Sequence, residues 1–349
     1  MNQDAAGGVV LVTGVSRYLG GRLARLLAAE PGTRRVIGVD VVPPRFELPG
    51  VEFVRADIRN PVIGKVIAAT GVDTVVHMNV IATPASAGGR SSMKEINVIG
   101  TMQLLAACQK ASTVKKLVIK SSTAIYGAGP KDPAMFSEDA EPRSVPRTGF
   151  AKDSVEVEGY VRGFARRRPD VTVTMLRFAN CIGPNVNTPM TDYFLLPVVP
   201  TGMGFDARMQ FIHEEDLLEA IRQVTHNDHP GTFNVAGDGV LPLSQALRLA
   251  GRLSIPVPLQ LMSPLGRWVR NAGVADFSAE QVQFLTYGRA VDTTRMRTEL
   301  GFEPRYTTQQ AFEDVIAARG LRPLVPADRI RRLEQDLVAV LTGRTVGNA

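Results

Sequence analysis

Short apolar runs alternate with helix-spaced apolar residues through the first half of the chain. The run Val9–Val12 ends at Gly14, and beyond Gly20 the spacing changes to that of a helix face, as in Leu23–Leu27. Continuous apolar runs of this length are typical of parallel strands that are buried on both faces. The pattern therefore predicts a buried strand, a tight glycine turn and a helix that begins at the turn.

The same alternation continues to about residue 180. Further strands are predicted at Val36–Val39, Glu52–Arg55, Thr74–His77, Lys116–Ile119 and Val171–Leu176, with helices between them. Such alternation predicts an α/β protein with a Rossmann-type, doubly wound parallel sheet. We expect this domain to span residues 1–185 and a smaller C-terminal lobe to span 186–349. The predicted strands near 209–213 and 232–236 are expected to return to the first domain.

The first glycine turn suits a dinucleotide. Glycines at Gly14 and Gly20 let a ligand approach the backbone, and a helix N-terminus attracts a pyrophosphate. Asp40 follows the second strand, where an acid can accept a hydrogen bond from a ribose 2′-hydroxyl. Because Asp40 would repel a 2′-phosphate, NAD is favoured over NADP, although Arg17 could reach a phosphate. The alternative is a purely structural turn with a capping acid.

Two later stretches extend this edge of the predicted sheet. Asp57 could accept from an adenine amino group while Ile58 lies against the ring; the alternative for Asp57 is a helix cap. The fourth strand runs directly into three residues at the carboxyl end of the sheet, where cofactors lie: Met78, Asn79 and Val80.

Composition excludes several classes of function. The net charge is +6, from 40 basic and 34 acidic residues, but the basic residues are scattered and Arg166–Arg168 reads as a solvated helix end. Nucleic-acid binding is therefore not expected. Cys108 and Cys181 show no metal-ligand spacing and fit buried thiols in a reducing compartment. No apolar run is long enough for a membrane span and no signal peptide is evident, so we expect a cytoplasmic protein.

Taken together, these residues resemble the extended short-chain dehydrogenase/reductase family, the NAD-dependent epimerases and dehydratases, in particular UDP-glucose 4-epimerase-like proteins. The matching segments stand in family order and cover nearly the whole chain. They are Thr13–Gly20, Asp40, Asp57–Ile58, Asn97–Thr101, Ser121–Gly127, Lys152, Leu176–Phe178, Ile182–Pro184, Phe211–His213, Asp216–Leu217, Phe233–Val235 and Glu299–Phe302.

The resemblance implies hydride transfer between NAD and a sugar, with catalytic roles at three positions. Ser122 would hydrogen-bond the substrate hydroxyl, and Lys152 would hold the nicotinamide ribose. The family places a proton-carrying tyrosine four residues before this lysine, where this chain has Thr148. A threonine hydroxyl is a far weaker acid than a phenol of pKa near 10. Tyr126 could supply a phenol instead, although packing against its loop is the favoured role.

The resemblance also assigns binding residues. The candidate cofactor-binding set is Gly14, Ser16, Arg17, Tyr18, Leu19, Gly20, Asp40, Asp57, Ile58, Met78, Asn79, Val80, Asn97, Lys152 and Phe178. The family's middle glycine of the turn is absent, and Arg17 stands in its place. Asn180 and Arg208 are the candidate substrate-binding residues; Met209 and Val282 occupy the positions of the family's diphosphate-binding arginines.

Two hypotheses about function follow. The first is an NAD-dependent epimerase/dehydratase-type oxidoreductase or isomerase that acts on a nucleotide sugar or related secondary alcohol. The second is a catalytically weak or silent NAD-binding sensor or scaffold, which Thr148 favours. Ser122 and Lys152 favour the enzyme. The resemblance further implies a homodimer that pairs through helices near Met102–Lys110 and Val155–Phe164.

Overall fold

A seven-stranded parallel sheet forms the centre of this computed structural model, which describes residues 7–78, 81–82, 88–140, 149–262 and 278–321. The strands in chain order are β1 (Gly8–Thr13), β2 (Thr33–Asp40), β3 (Val51–Arg55), β4 (Thr74–His77), β5 (Lys116–Ser122), β6 (Thr172–Phe178), β7 (Asn180–Ile182), β8 (Val198–Gly202), β9 (Arg208–Met209), β10 (Phe211–His213), β11 (Gly231–Val235), β12 (Leu241–Pro242), β13 (Leu253–Val257) and β14 (Gly288–Arg289). The main sheet has the order β11-β6-β5-β4-β1-β2-β3. The chain winds outward from β1 in both directions, which confirms the predicted doubly wound fold.

Helices cover both faces of this sheet. In chain order, the helices of the described ranges, including those that pack only in the second half of the chain, are α1 (Tyr18–Ala28), α2 (Val62–Thr70), α3 (Arg90–Lys94), α4 (Thr101–Lys110), α5 (Gly149–Arg167), α6 (Pro189–Leu195), α7 (Glu214–His226), α8 (Leu243–Leu249), α9 (Ala279–Tyr287), α10 (Thr294–Thr298) and α11 (Thr308–Ala318). A π-helical segment, Glu95–Gly100, joins α3 to α4, and a 3₁₀ turn, Thr123–Tyr126, follows β5.

Alternate strand residues feed two separate cores. Val118 of β5 packs in the core shared with α1 and α7, whereas Leu117 and Ile119 pack in the core under α2, α4 and α5. Since successive side chains of a strand point to opposite faces, Lys120 and Ser122 lie on the α1 and α7 face. Both faces are buried, as the continuous apolar runs predict.

The second half of the chain builds small sheets around a third core. β8 pairs with β13, and β9 lies between β12 and β14. β11 joins the main sheet beside β6, whereas β10 pairs with β7, which ends at Ile182. The expected return of these two strands to the first domain stays a prediction. The division at residue 185 stays a prediction. No helix within the described ranges is long and apolar enough to cross a membrane.

A buried ion pair ties α5 to the sheet. Glu158, whose side chain is 1% exposed, accepts two hydrogen bonds from the guanidinium of Arg177 on β6, at 3.0 and 2.7 Å. The hydroxyl of Ser121 on β5 donates to the same carboxylate at 2.6 Å. Three elements therefore meet at one carboxylate, which fixes how α5 lies over β5 and β6.

Breaking this pair should destabilise the protein far more than removing a surface partner of the same carboxylate. Arg177→Met leaves Glu158 buried without its cation, so we expect a loss of about 3–5 kcal/mol in the free energy of unfolding. Arg162→Met removes a half-exposed arginine from the same glutamate and should cost about 1 kcal/mol or less. Urea denaturation of both variants measures the difference; equal losses would contradict this account.

Candidate active site at the carboxyl edge of the sheet

The turn between β1 and α1 is as tight as the sequence predicts. Gly14 has a φ of 77°, a conformation that side chains disfavour. A Cβ atom on Gly20 would lie 2.2 Å from the carbonyl oxygen of Gly14, so no larger residue fits there. The turn thus brings the first residues of α1 directly onto the end of β1.

The N-terminus of α1 has an electropositive environment. The helix has no side-chain cap and no acidic residue in its first turn, and Arg17 stands at the N-cap position. Burial lowers the pKa of Arg17, and the nearby charge of Asp40 opposes that shift. Unpaired backbone N–H groups and the helix dipole favour an anion at such an end. The turn therefore fits the diphosphate of a dinucleotide.

Asp40 is held firmly at the end of β2. Its carboxylate accepts hydrogen bonds from the backbone N–H groups of Ser16, at 3.0 Å, and Val41, at 2.7 Å. The Ser16 hydroxyl donates in turn to the carbonyl of Val42. Each carboxylate oxygen retains acceptor capacity, so Asp40 can still receive a ribose hydroxyl.

Tyr18 and Leu19 of α1, which are predicted to bind the cofactor, have side chains that contact other parts of the protein. The Tyr18 hydroxyl donates to Glu214 at 3.0 Å and accepts from Arg22 at 2.9 Å. It therefore binds the N-terminus of α7, and Leu19 packs on the core beneath α1. Their side chains contribute to the joint between α1 and α7, while their backbone N–H groups lie at the turn.

Two polar residues of the predicted cofactor set, Asp57 and Asn97, form hydrogen bonds with other residues of the chain. Arg59 donates to the Asp57 carboxylate through its backbone N–H and its guanidinium, which lowers the pKa of Asp57. Asn97 exchanges two hydrogen bonds of 2.8 Å with the backbone of Ile81. Asp57 is thus paired with a nearby cation, and Asn97 holds the chain that follows β4.

The apolar residues of the predicted cofactor set, Ile58, Met78 and Phe178, lie along the carboxyl edge of the sheet. Ile58 is buried and packs so closely on Gly100 that a Cβ there would lie 2.8 Å from its Cδ1. Met78 and Phe178 are buried at the ends of β4 and β6, and Phe178 is directly opposite Ser122 in the sheet. Asn79 and Val80 lie outside the described residues.

Ser122 and Lys152 lie on neighbouring elements. Ser122 ends β5, and its hydroxyl oxygen accepts the Ala124 N–H at 3.1 Å as the cap of the following turn. α5 packs against both β5 and that turn. Lys152, in the first turn of α5, is 42% exposed and lies 3.7 Å from Glu156. The lysine is therefore accessible at the edge where β5 ends.

The N-terminus of α5 is held from two sides. The carboxylate of Glu280, on α9, accepts from the Ala151 N–H at 3.3 Å, and burial raises the pKa of this glutamate. Arg90 donates to the Gly149 carbonyl and forms a two-point ion pair with Asp153. The helix carrying Lys152 is thus tied to the second lobe. Thr148 itself lies outside the described residues.

Tyr126 has a packing role. Its ring is 1% exposed and stacks on Phe136 at 4.7 Å, and its hydroxyl donates to Asn234 and accepts from Arg177, both at 2.8 Å. Burial raises the pKa of this phenol, and Arg177 opposes that shift. The hydroxyl is engaged and its acidity is shifted away from neutrality. The contacts thus oppose Tyr126 as an alternative proton carrier.

The sequence interpretation missed a buried hydrogen-bond chain below the edge. The Nδ1 of His77 bonds Thr13 and its Nε2 bonds Thr101, each at 2.8 Å. Burial lowers the pKa of His77 to about 4, so the ring is neutral near pH 7. Its position at a strand end was visible in the sequence, but its partners come from distant segments.

A cavity of about 200 Å³ lies between β9, β14 and the loop after Tyr126. Arg208 lines it together with Arg289, Asp132 and Asp206. Arg289 donates to the Gly127 carbonyl at 2.8 Å, while its buried Nε has no hydrogen-bond partner among the described residues. Burial lowers the pKa of Arg289 to about 10. Asn180 lies partly buried in β7, beside Phe211.

Comparison with known proteins agrees with this architecture. Residues 10–236 match the model of the NAD dependent epimerase/dehydratase family. An uncharacterized protein of Mycobacterium tuberculosis is 47% identical over 345 residues, which are 98% of this chain and 90% of that protein. UDP-glucose 4-epimerase of Thermotoga maritima, solved with UDP-glucose, is 18% identical, with a TM-score of 0.68 over 89% of this chain and 98% of its own. For dTDP-glucose 4,6-dehydratase of Bacillus anthracis, solved with NAD, the identity is 19% and the TM-score 0.66, over 90% and 97%.

The parallel sheet, the glycine turn and the acid after β2 define a dinucleotide-binding α/β protein. Within that class, the chain belongs to the NAD dependent epimerase/dehydratase family. The two solved structures show the shared fold.

The geometry of Asp40 predicts a preference for NAD(H) over NADP(H). A carboxylate fixed at the end of β2 accepts a 2′-hydroxyl and repels a 2′-phosphate, so we expect at least about tenfold tighter binding of NAD(H). Asp40→Asn should shrink that ratio. Fluorescence titration of NADH and NADPH measures both. Tighter NADPH binding that disappears in Arg17→Ala would show instead that the arginine governs the choice.

Proposed function

We propose that this protein is an NAD-dependent epimerase or dehydratase that acts on a nucleotide sugar or a related secondary alcohol. The observation that carries the proposal is the shared edge: the glycine turn, Asp40 and Ser122 all lie at carboxyl ends of parallel strands, and Lys152 lies in the first turn of α5, which packs against β5 and the turn after Ser122. Ligands of open α/β sheets bind at this edge.

The bound dinucleotide would supply the hydride acceptor for the substrate C–H bond. In this scheme Ser122 donates a hydrogen bond to the substrate oxygen and orients it. Lys152 holds the nicotinamide ribose and places a positive charge near the reacting oxygen. The hydroxyl proton leaves as the carbonyl forms, and a general base normally accelerates such a step by about 10²–10⁴-fold. Thr148 is a poor base for it.

Arg208 and Arg289 line the cavity together with Asp132 and Asp206, and the two arginines would bind an anionic portion of the substrate. Guanidinium groups bind phosphates with paired hydrogen bonds, and the Nε of Arg289 is buried without a partner in the described part of the chain. These two arginines would replace the pair that the family places at positions 209 and 282. Asn180, in the strand beside Phe211, would add a polar contact.

The second candidate is an NAD-binding protein with weak or no turnover. Two facts favour it: Thr148 stands at the position of the proton carrier, and the hydroxyl of Tyr126 is engaged within the fold. A homodimer is also proposed, because Gly159 faces open space on α5 and Tyr160 beside it is 40% exposed.

Introducing a tyrosine at the position of Thr148 distinguishes the proposed enzyme from an NAD-binding protein with weak or no turnover. If the site is otherwise catalytic, Thr148→Tyr should raise turnover by about 10²–10⁴-fold, the usual scale of a general acid–base group. Thr148→Phe, which adds the ring without the hydroxyl, should not. Hydride transfer is followed at the nicotinamide absorbance across sugar nucleotides and secondary alcohols, and epimerisation is followed by product stereochemistry.

The same assay can also contradict the enzyme proposal. If the wild type and Thr148→Tyr are both inert while NAD binds, the enzyme proposal fails and the sensor proposal replaces it. Lys152→Met provides the complementary control, since loss of the ribose contact should weaken NADH binding by about tenfold.

A further inference from the structure

The paired strands β8 and β13 and their flanking residues form a surface without charge. Neither Tyr193–Phe205 nor Leu253–Met262 contains a charged residue. Met203 is 51% exposed, Ile255 55% and Leu261 56%. Exposed strands usually carry charges that prevent association, and a contiguous apolar surface usually marks a contact site. We call this surface the uncharged face, and its exposed side chains are Leu195, Val198, Met203, Phe205, Leu253, Ile255 and Leu261.

The strand register places the apolar side chains of β8 and β13 on one outer side. In this parallel pair Leu253 is opposite Val198, and Ile255 is opposite Pro200. Val199, the next residue of β8, is fully buried in the third core. Because successive side chains of a strand point to opposite sides, the inner side of the pair is packed on that core. The outer side is therefore the one that can accept another element.

The sequence beyond Leu321 contains an apolar stripe that matches the uncharged face. Residues 328–341 lie outside the described ranges. Their sequence has apolar residues at helical spacing with charged residues between them, and the apolar ones are Ile330, Leu333, Leu337, Val340 and Leu341. A stripe of this kind is typical of a segment that packs on an apolar surface.

The last described residues lie close to the uncharged face. The guanidinium of Arg319, directly after α11, donates to the side chain of Asn187. Asn187 lies two residues before α6, and the last residue of α6, Leu195, belongs to the face. This helix is about 10 Å long, whereas an extended chain from Leu321 to Ile330 spans up to about 30 Å. The segment 328–341 can therefore reach the face.

We propose that the segment 328–341 docks with its apolar stripe on the uncharged face of its own chain. Attachment through residues 322–329 gives the segment an effective concentration at the face of about the millimolar range, which favours it over a partner from solution. The face has no charge that the apolar stripe would leave buried and unpaired. Phe205 of the face also lines the cavity beside Arg208, so the docked segment would lie next to that cavity.

Disulfide trapping in the full-length protein tests this contact. Ile255→Cys combined with Leu337→Cys should form a disulfide within one chain on mild oxidation, because both positions would lie in the interface. Ile255→Cys combined with Gln335→Cys is the matched control, since position 335 lies about 200° around a helix from position 337 and should stay reduced. Intact mass spectrometry of the monomer measures both yields, and equal yields would contradict the proposal.

Hydrogen exchange gives a second measurement that needs no added cysteine. Amides of residues 328–341 should exchange at least about tenfold more slowly in the wild type than in Ile255→Asp, because docking would bury the new carboxylate. Ser254→Asp places the same charge on the other side of β13, at an exposed position, and should leave the protection unchanged. Equal exchange in the wild type and Ile255→Asp overturns the proposal.

Two further results would assign the uncharged face to another occupant and refute docking of the segment. The first is a dimer in sedimentation that dissociates in Ile255→Asp while residues 328–341 exchange freely in the wild type. The second is binding of the wild type, but not of Ile255→Asp, to vesicles that contain phosphatidylglycerol, again with freely exchanging residues 328–341. A monomer whose segment loses protection only in Ile255→Asp supports the proposal.

Discussion

The carboxylate of Glu158 is the contact on which the geometry of the candidate site depends. It is buried in α5, and Arg177 and Ser121 donate hydrogen bonds to it from β6 and β5. A buried ion pair adds little net stability over a well-packed apolar contact, but it is specific in direction. Here the specificity sets the rotation of α5 over the sheet. Lys152 lies less than two turns away on the same helix, so its position beside β5 follows from this contact.

Three helix N-termini at the edge of the sheet differ in which acidic residues lie beside them. α7 begins with its own acidic residues, Glu214, Glu215 and Asp216. α5 receives the Glu280 carboxylate from the second lobe. Both helix dipoles are therefore compensated within the protein. α1 has no acid in its own first turn, and the nearby acid there is Asp40, which follows β2, accepts from the Ser16 N–H and acts on Arg17.

The sequence pattern predicted the elements whose formation depends on residues that are close together in the chain. The strands of the main sheet are where the apolar runs place them, because burial on both faces requires a continuous run, and Gly14 and Gly20 are required by backbone geometry alone. Prediction failed where distant segments meet. The spacing Asn97–Thr101 gives no sign of a π-helical turn, yet that turn leaves Ile99 41% exposed. The pairing of Asp57 with Arg59 and of Tyr18 with Glu214 also depended on folded geometry.

A hydride-transfer site must bind a dinucleotide and must also move a proton. This chain has more residues suited to the first task than to the second. Binding and orienting a dinucleotide needs backbone geometry, a fixed acid and positive charge, and under the proposed function Gly14, Asp40 and Arg17 would supply them. Moving a proton needs a group whose pKa is near neutrality and whose hydroxyl or carboxyl is accessible. Tyr126 is buried and hydrogen-bonded, and Glu280 already accepts from the backbone of α5. Binding of a dinucleotide does not require a proton carrier, so the proposed function and the alternative with weak or no turnover predict the same cofactor affinity and differ in turnover. Under the proposed function, chemistry on a substrate would depend on what reaches the substrate oxygen beside Ser122, and Lys152, 42% exposed in the first turn of α5, would lower the cost of negative charge on that oxygen.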